Sequence, residues 1–297
     1  MMEVKNKKNL FTVTEPTELL KFLIENIQGK SRNNIKSILV RRLVSVDNQI
    51  QTQYNFPIKK GQVIKIFSGK PEEKTRYHGV KILFEDEHII VIEKEAGLLS
   101  IATNKERQLT AYFILTEHIR KTHPKNRVYI VHRLDKDASG VMMFAKSIAV
   151  QEKLQNDWQK AIVDRRYSVL VEGIVEKEED TIISWLKESK ALIMYSYNWD
   201  NGGQKAITHY KLIKHNEEFS LLEVKIDTGR KNQIRVHMQD IKHSIVGDKK
   251  YGSTINPIRR MGLHALSLTF NHPITGEQMH FETPIPTSFL NLIHQKK

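Results

Sequence analysis

Val128-Tyr-Ile-Val-His-Arg-Leu-Asp-Lys-Asp-Ala-Ser-Gly-Val-Met-Met-Phe-Ala145 decides how the chain is read, because two short apolar runs here enclose a polar loop that carries Asp135. Val128–Val131 and Val141–Ala145 are continuous apolar runs of strand length, which predicts strands covered by protein on both sides. The loop between them is then held at both ends, with His132 and Arg133 before Asp135 and the turn-forming Ala138-Ser139-Gly140 after it. Such a frame presents one carboxylate in a fixed direction. Two other patterns in the stretch lead nowhere. Gly140 to Ser147 is one residue (Ala145 for glycine) from a phosphate-cradling P-loop, but Val-Met-Met-Phe is a buried strand and not a loop of bare amides. His132, Asp135 and Ser139 suggest a hydrolase triad, yet triad members converge from separate segments and no G-x-S-x-G elbow occurs in the chain.

Composition bounds the rest. At 297 residues, with 39% hydrophobic and 27% charged side chains, the chain suits one large domain with a small satellite and a real core. No run of about 18 apolar residues occurs. The start, Met-Met-Glu-Val-Lys-Asn-Lys-Lys, lacks the apolar segment of a signal peptide, so a cytoplasmic protein without membrane partners is expected. The lack of cysteine excludes disulfides, thiolate metal sites and cysteine nucleophiles, and the 13 histidines contain no H-E-x-x-H pairing, so no metal is expected. Lys+Arg exceed Asp+Glu by 47 to 34, a net +13 that favours a polyanionic partner, nucleic acid first. The excess is local: residues 1–67 hold 12 Lys+Arg against 5 Asp+Glu, so +7 of the +13 sits in under a quarter of the chain.

From the N-terminus, Thr17 is a candidate N-cap for a helix with Leu20, Leu23, Ile24 and Ile27 at helical spacing, ended by Gly29. Ser31 opens a second helix, with Ile35, Ile38 and Leu39 inward and Arg32, Lys36, Arg41 and Arg42 toward solvent. Val44–Val46 and Val63–Ile66 read as strands. Ser31-Arg32 with its helix, Leu43-Val-Ser-Val-Asp47 and Lys60-Gly-Gln-Val-Ile64 resemble a small RNA-binding module first described in a ribosomal small-subunit protein. That resemblance covers roughly residues 14–67 and implies that Lys30, Arg32, Lys36, Arg41 and Arg42 contact RNA. The bland alternative is a solvated basic helix pair with no ligand.

Ser68 to Tyr77 is polar and contains glycine and proline, so a linker is expected over 68–79, between a basic domain at 1–67 and a larger domain at 80–297. In the larger domain a hairpin is expected at Lys81–Phe84 and Ile89–Ile92, and helices at Leu109–Lys121 and Val150–Ala161. Strands are expected at Arg166–Val171, Ile207–Ile213, Leu221–Ile226 and Leu266–Phe270. Mostly strands, with helices interspersed and no βαβ rhythm, predict an α+β fold around a mixed, mostly antiparallel sheet.

Two further segments of this domain complement Asp135. Arg165-Arg-Tyr-Ser-Val-Leu-Val-Glu-Gly173 places Tyr167 at the start of a strand, and Thr228-Gly-Arg-Lys-Asn-Gln-Ile-Arg-Val-His237 joins a glycine turn to amides and two arginines, with Arg235 treated as a strand residue. Together with Gly247-Asp248, Tyr251-Gly252 and Leu263-His264-Ala265, these resemble the pseudouridine synthases of the RluA/RluD type. Residues 132–140 match H-R-L-D-x-x-T-S-G except for Ala138, and residues 229–237 match G-R-x-H-Q-I-R-x-H except for Asn232. The resemblance spans about residues 80–290.

It implies an RNA isomerase without a cofactor, acting as a monomer. Asp135, Arg235 and Tyr167 are then the catalytic carboxylate, its cationic partner and the aromatic group beside the uracil. Arg133 and His132 would aid base flipping, Arg230 and Lys231 would meet phosphates, and Asn232, Gln233 and His264 would build or line the pocket. The resemblance favours large-subunit ribosomal RNA as substrate, with transfer RNA second. Ala138 removes a loop-capping hydroxyl, an expected loosening of about 1 kcal/mol. The rival from another class is a non-catalytic RNA-binding or ribosome-assembly protein.

Overall fold

A computed structural model of the chain describes residues 10–27, 29, 31–40, 43–47, 49–66, 76–103 and 106–295. They form two compact units, Met1–Thr75 and Arg76–Lys297.

In the first unit the helices Leu19–Asn26 and Arg32–Val40 share one apolar core with a small antiparallel sheet, in which Val63–Ile66 lies between Leu10–Thr12 and Val44–Val46. Leu19, Leu23, Ile35 and Leu39 are wholly buried, as their helical spacing requires. Ser31 accepts a hydrogen bond from the Asn34 N–H at 3.3 Å, a cap on the second helix. Thr17 does not cap the first helix, because Thr17–Glu18 is engaged as a short strand paired with Pro57–Ile58. That helix ends at Asn26, before Gly29. Arg32 is exposed, whereas Lys36 is half-buried with its ammonium 5.4 Å from the Tyr54 ring centroid. Lys30, Arg41 and Arg42 lie outside the described residues, as do residues 68–75 of the expected linker. At the linker's end, Arg76–Tyr77 pairs with Val80–Lys81 and belongs to the second unit.

The second unit is built on a twelve-stranded sheet that runs from Met194–Tyr197 through Ile162–Glu172, Leu263–Asn271 and Ser139–Ala145 to Arg76–Tyr77. Among the described strands its pairings are antiparallel except where Ser139–Ala145 lies parallel to Leu263–Asn271. The α+β expectation therefore holds. Every residue of Ser139–Ala145 is buried, which explains its unbroken apolar pattern. Ser139 and Gly140 begin this strand and are not part of the preceding turn. Gly140 has φ +115°, and a Cβ there would stand 2.1 Å from the Ala265 carbonyl oxygen, so only glycine lets the two central strands meet. Gln233–Asp240 is a helix, not a strand, and Tyr167 sits midway along Ile162–Glu172. No helix among the described residues is long and apolar enough to cross a membrane.

One buried lysine fixes the Asp135 loop to this sheet. Lys94 ends the strand Ile89–Lys94, is fully buried, and donates to the carbonyls of Glu95 (3.0 Å), Leu98 (2.8 Å), Lys136 (3.1 Å) and Ala138 (2.6 Å). Burial pushes its pKa down to about 7, against the pull of the Asp137 and Asp135 charges. The loop also closes on itself through the Ala138 N–H and the Asp135 carbonyl at 3.2 Å. The Ala138 methyl is buried in the main core. Lys94 thus secures the segment that a hydroxyl at position 138 would otherwise cap.

Buried histidines make this unit acid-sensitive, His237 and His264 among them. His237 lies between Ser184 and Thr208, and His264 between Ser139 and Thr283, each ring nitrogen within 2.7–3.0 Å of a hydroxyl. Burial lowers both from an ordinary 6.5 to about 4, with the Arg260 charge adding to the effect on His264. The unfolded chain therefore takes up these protons near pH 6.5, well before the folded unit does. Their stabilising contribution is complete above pH 6.5 and is lost as the pH falls toward 4, each group adding a slope of about 1.4 kcal/mol per pH unit. Urea unfolding measured from pH 7 to 4.5 is expected to show this loss, and His264→Gln to remove one proton's worth of slope. An unchanged slope in that variant would rule His264 out as an acid-labile point.

Candidate active site

Asp135 lies on the wall of a cleft of about 700 Å³, together with Arg133, Tyr167, Arg230, Asn232 and Arg235. That size is ordinary for a small-molecule or nucleotide site. The residues come from separate elements: the loop before Ser139–Ala145, the strand Ile162–Glu172, and the loop and helix after Phe219–Ile226. At Tyr167 the pairing of its strand with Leu263–Asn271 shifts register between Arg166 and Tyr167. Such irregularities re-aim side chains.

Asn232 stands immediately before the helix Gln233–Asp240 with φ +56°, a conformation that asparagine tolerates better than most side chains. Its Nδ2 donates to the Tyr251 hydroxyl at 2.9 Å and its Oδ1 accepts from Arg235 Nη1 at 3.3 Å. Gln233 is buried and accepts from the Thr228 hydroxyl and the Arg230 N–H while donating to the Ile207 carbonyl and the Thr208 hydroxyl. Both amides shape the wall of the cleft.

Arg235 organises the charges. Its Nε and Nη2 donate to the two carboxylate oxygens of Asp248 at 2.6 and 2.7 Å, and its Nη1 donates to Asp135 Oδ2 at 2.9 Å. The Asp248 side chain is 2% exposed and that of Asp135 26%, so Asp248 is the structural anchor and Asp135 the carboxylate that faces the cleft. The guanidinium carbon lies 4.8 Å from the Tyr251 ring centroid. The opposing burial and carboxylate effects leave the Arg235 pKa raised. Among the described residues Asp135 Oδ1 has no hydrogen-bond partner. Tyr167 is enclosed, and burial raises the pKa of its phenol, partly offset by the Arg165 charge and reinforced by Asp135, so the hydroxyl stays protonated.

Other expected residues are placed differently. His132 Nε2 accepts the Met143 N–H at 3.0 Å, and its ring lies 5.2 Å from that of Trp158. Burial first, and the Arg165 charge second, push its pKa down to about 3. It lines the cleft as a neutral ring whose Nε2 is engaged by the backbone. His264 faces Ser139 and Thr283 inside the protein, while its neighbour Leu263 lines the cleft. Ser139 meets His264 and Arg260, not His132, which leaves the triad pattern without a geometry. Lys231 is ion-paired with Glu188. Arg230 donates through Nε to the Lys205 carbonyl at 3.1 Å. Arg133 is exposed at the cleft and has no hydrogen bond or ion pair among the described residues.

Sequence reading missed Trp158 and Arg165 in the wall and gave Asp248 no role, although the Gly247-Asp248 pattern marked its position. Since the buried Arg235 depends on Asp248 for two of its bonds, Asp248→Ala is expected to destabilise this unit by about 3–5 kcal/mol. Urea midpoints of the two proteins measure it; a change under about 1 kcal/mol would mean that Arg235 finds other partners.

Comparison with known proteins gives this geometry a context. Residues 88–240 match the family model described as RNA pseudouridylate synthase. The chain is 32% identical to a ribosomal large subunit pseudouridine synthase D of Haemophilus influenzae, across 93% of this chain and 90% of that one. It is 34% identical to the RNA pseudouridine synthase YjbO of Bacillus subtilis, across 71% and 75% of the two chains. The fold is similar to that of human RNA pseudouridylate synthase domain containing 4, with a TM-score of 0.59 at 21% identity over 72% of this chain and 91% of that one. With the family model covering half of its length and a relative 32% identical across 93% of it, this chain belongs to the RNA pseudouridylate synthase family.

Proposed function

We propose that this protein isomerises specific uridines of large-subunit ribosomal RNA, with Asp135 as the reacting carboxylate. The observation that carries the reading is the Asp135 side chain itself. Arg235 holds it through Oδ2, Oδ1 has no hydrogen bond among the described residues, and the cleft beside it also contains Tyr167. Isomerisation breaks the bond between N1 and C1′, turns the bound uracil and joins C5 to C1′, while the proton lost from C5 is matched by one gained at N1, so nothing is consumed. Asp135 serves either by attacking C1′ or by taking a proton from the ribose. Arg235 stabilises its charge in a partly enclosed site.

The Tyr167 ring offers a face to the uracil. Its phenol is held neutral, so it accepts the C5 proton only as it passes on its own. A base inside a duplex must leave the stack at a cost of a few kcal/mol, and Arg133, exposed and without a partner among the described residues, suits the propping of the gap. Relatives named for the large ribosomal subunit support ribosomal RNA over transfer RNA.

The basic unit at 1–67 is read as an RNA grip, with Arg32 and Lys36 among its contacts. Deleting it is expected to weaken RNA binding and flatten its salt dependence while Asp135-dependent conversion persists at higher RNA concentration. An unaltered salt slope would remove that role.

Pseudouridine mapping of total RNA tests the main reading, in cells lacking the protein and complemented with either the native chain or Asp135→Asn. Particular sites are expected to vanish and to return only with the native chain. Return with both would take catalysis away from Asp135, and no change at any site would favour a binding protein.

A further inference from the structure

We infer that Arg165 is a phosphate-binding residue inside the cleft, taking a backbone phosphate next to the nucleotide being modified. The inference rests on the reading of this cleft as the place where RNA enters. Five cationic side chains line the cleft, and two of them are committed to carboxylates. Arg235 is saturated by Asp248 and Asp135, and Lys231 is paired with Glu188. Among the described residues Arg133, Arg165 and Arg230 form no ion pair. Arg133 is exposed, and Arg230 spends its Nε on a carbonyl.

Arg165 also touches carbonyls, as Arg230 does, but differs from both in its setting. It is half-buried on the strand that carries Tyr167, and its charge acts on the Tyr167 phenol and on His132. Its guanidinium carbon lies 5.9 Å from the Trp158 ring centroid, within reach of a cation–π contact. Nη2 makes two long contacts of 3.4 Å with the carbonyls of Ile226 and Asp227. A guanidinium carries five N–H donors, and among the described residues Nε and Nη1 have no acceptor.

The opposite side of the group has been kept clear. A Cβ added at Gly229 would come within 2.9 Å of Arg165 Nη1, and Gly229 does not have a positive φ. Its lack of a side chain therefore serves space and not backbone geometry. Trp158 on one side and bare backbone on the other hold a planar fork whose free donors suit a phosphate oxygen pair. The next residue shows the contrast: Arg166 is bound by Asp164 at 2.6 Å and Glu223 at 2.8 Å. Two adjacent arginines thus have opposite fates, one spent within the fold and one left for a polyanion.

The test is the salt dependence of binding to an unmodified large-subunit ribosomal RNA transcript, measured by filter binding with the full-length native chain, Arg165→Gln, Arg165→Lys and Gly229→Ala. Losing one charge-assisted contact is expected to weaken binding by about 10–100-fold for Arg165→Gln. The log–log salt slope should shrink by about one phosphate's worth. Arg165→Lys should recover the slope, and Gly229→Ala, which displaces the guanidinium without removing its charge, should weaken binding as well. An unchanged slope in Arg165→Gln overturns the proposal, whether affinity holds or falls, because a merely structural arginine would lower affinity without altering counterion release. Turnover is not needed for this measurement. If the slope shifts while Asp135→Asn converts uridine as well as the native chain, the phosphate subsite stands and the catalytic reading fails.

Discussion

The shared guanidinium of Arg235 is the interaction on which the site depends. A lone carboxylate on the wall of a partly enclosed cleft is destabilised by the loss of water, and a lone arginine 14% exposed is destabilised in the same way. Pairing them solves both problems but leaves the arginine free to pivot. Asp248 removes that freedom. It takes Nε and Nη2 in a fork, which aims Nη1 at Asp135 and leaves Asp135 with a single side-chain bond among the described residues. The division is unequal in burial as well as in bonding, so the anchor lies inside and Asp135 faces the cleft.

Everything around this trio restricts motion. Tyr251 lies beneath the guanidinium, with its hydroxyl accepting from Asn232 and from the Met194 N–H. Asn232 turns the chain into the helix that carries Arg235, and Gln233 locks the preceding loop against Ile207 and Thr208. On the other side Lys94 gathers carbonyls from two loops and fixes the backbone that follows Asp135. Fixed ion pairs and backbone clamps of this kind reduce the reorganisation that a reacting group must undergo.

The sequence made some of this legible and hid the rest for physical reasons. Asp135 stood out because the runs flanking it are apolar without alternation, a pattern that the wholly buried strand Ser139–Ala145 produces directly, whereas the run before the loop forms only the half-buried strand Tyr129–Ile130. The α+β architecture followed from the same kind of run. Lys94 was illegible, since a lysine between two glutamates looks solvated. Its acceptors at Lys136 and Ala138 lie 42 and 44 residues away, and only folding gathers them. The helix at Gln233–Asp240 was missed because its inward face includes Gln233 and His237, whose burial relies on hydroxyl and carbonyl partners and not on apolar spacing. His132 and His264 attracted functional readings because histidines near an active carboxylate look reactive. Burial makes both of them neutral hydrogen-bonding struts.

Arg165 and Arg166 show where residue type alone stops being informative. In a strand, successive side chains face opposite sides, so a pair of arginines sends one to each face, and which one meets carboxylates depends on the neighbouring strands. Here Glu223 lies on the strand next to Arg166 and neutralises it, whereas Arg165 turns to a wall made by Trp158 and glycine backbone. A net positive charge says only that a polyanion is favoured. Subtracting every cation already bound to a carboxylate turns that bulk property into a short set of side chains that still need a partner, and a cleft lined by such side chains attracts an RNA backbone more strongly than its saturated neighbours do.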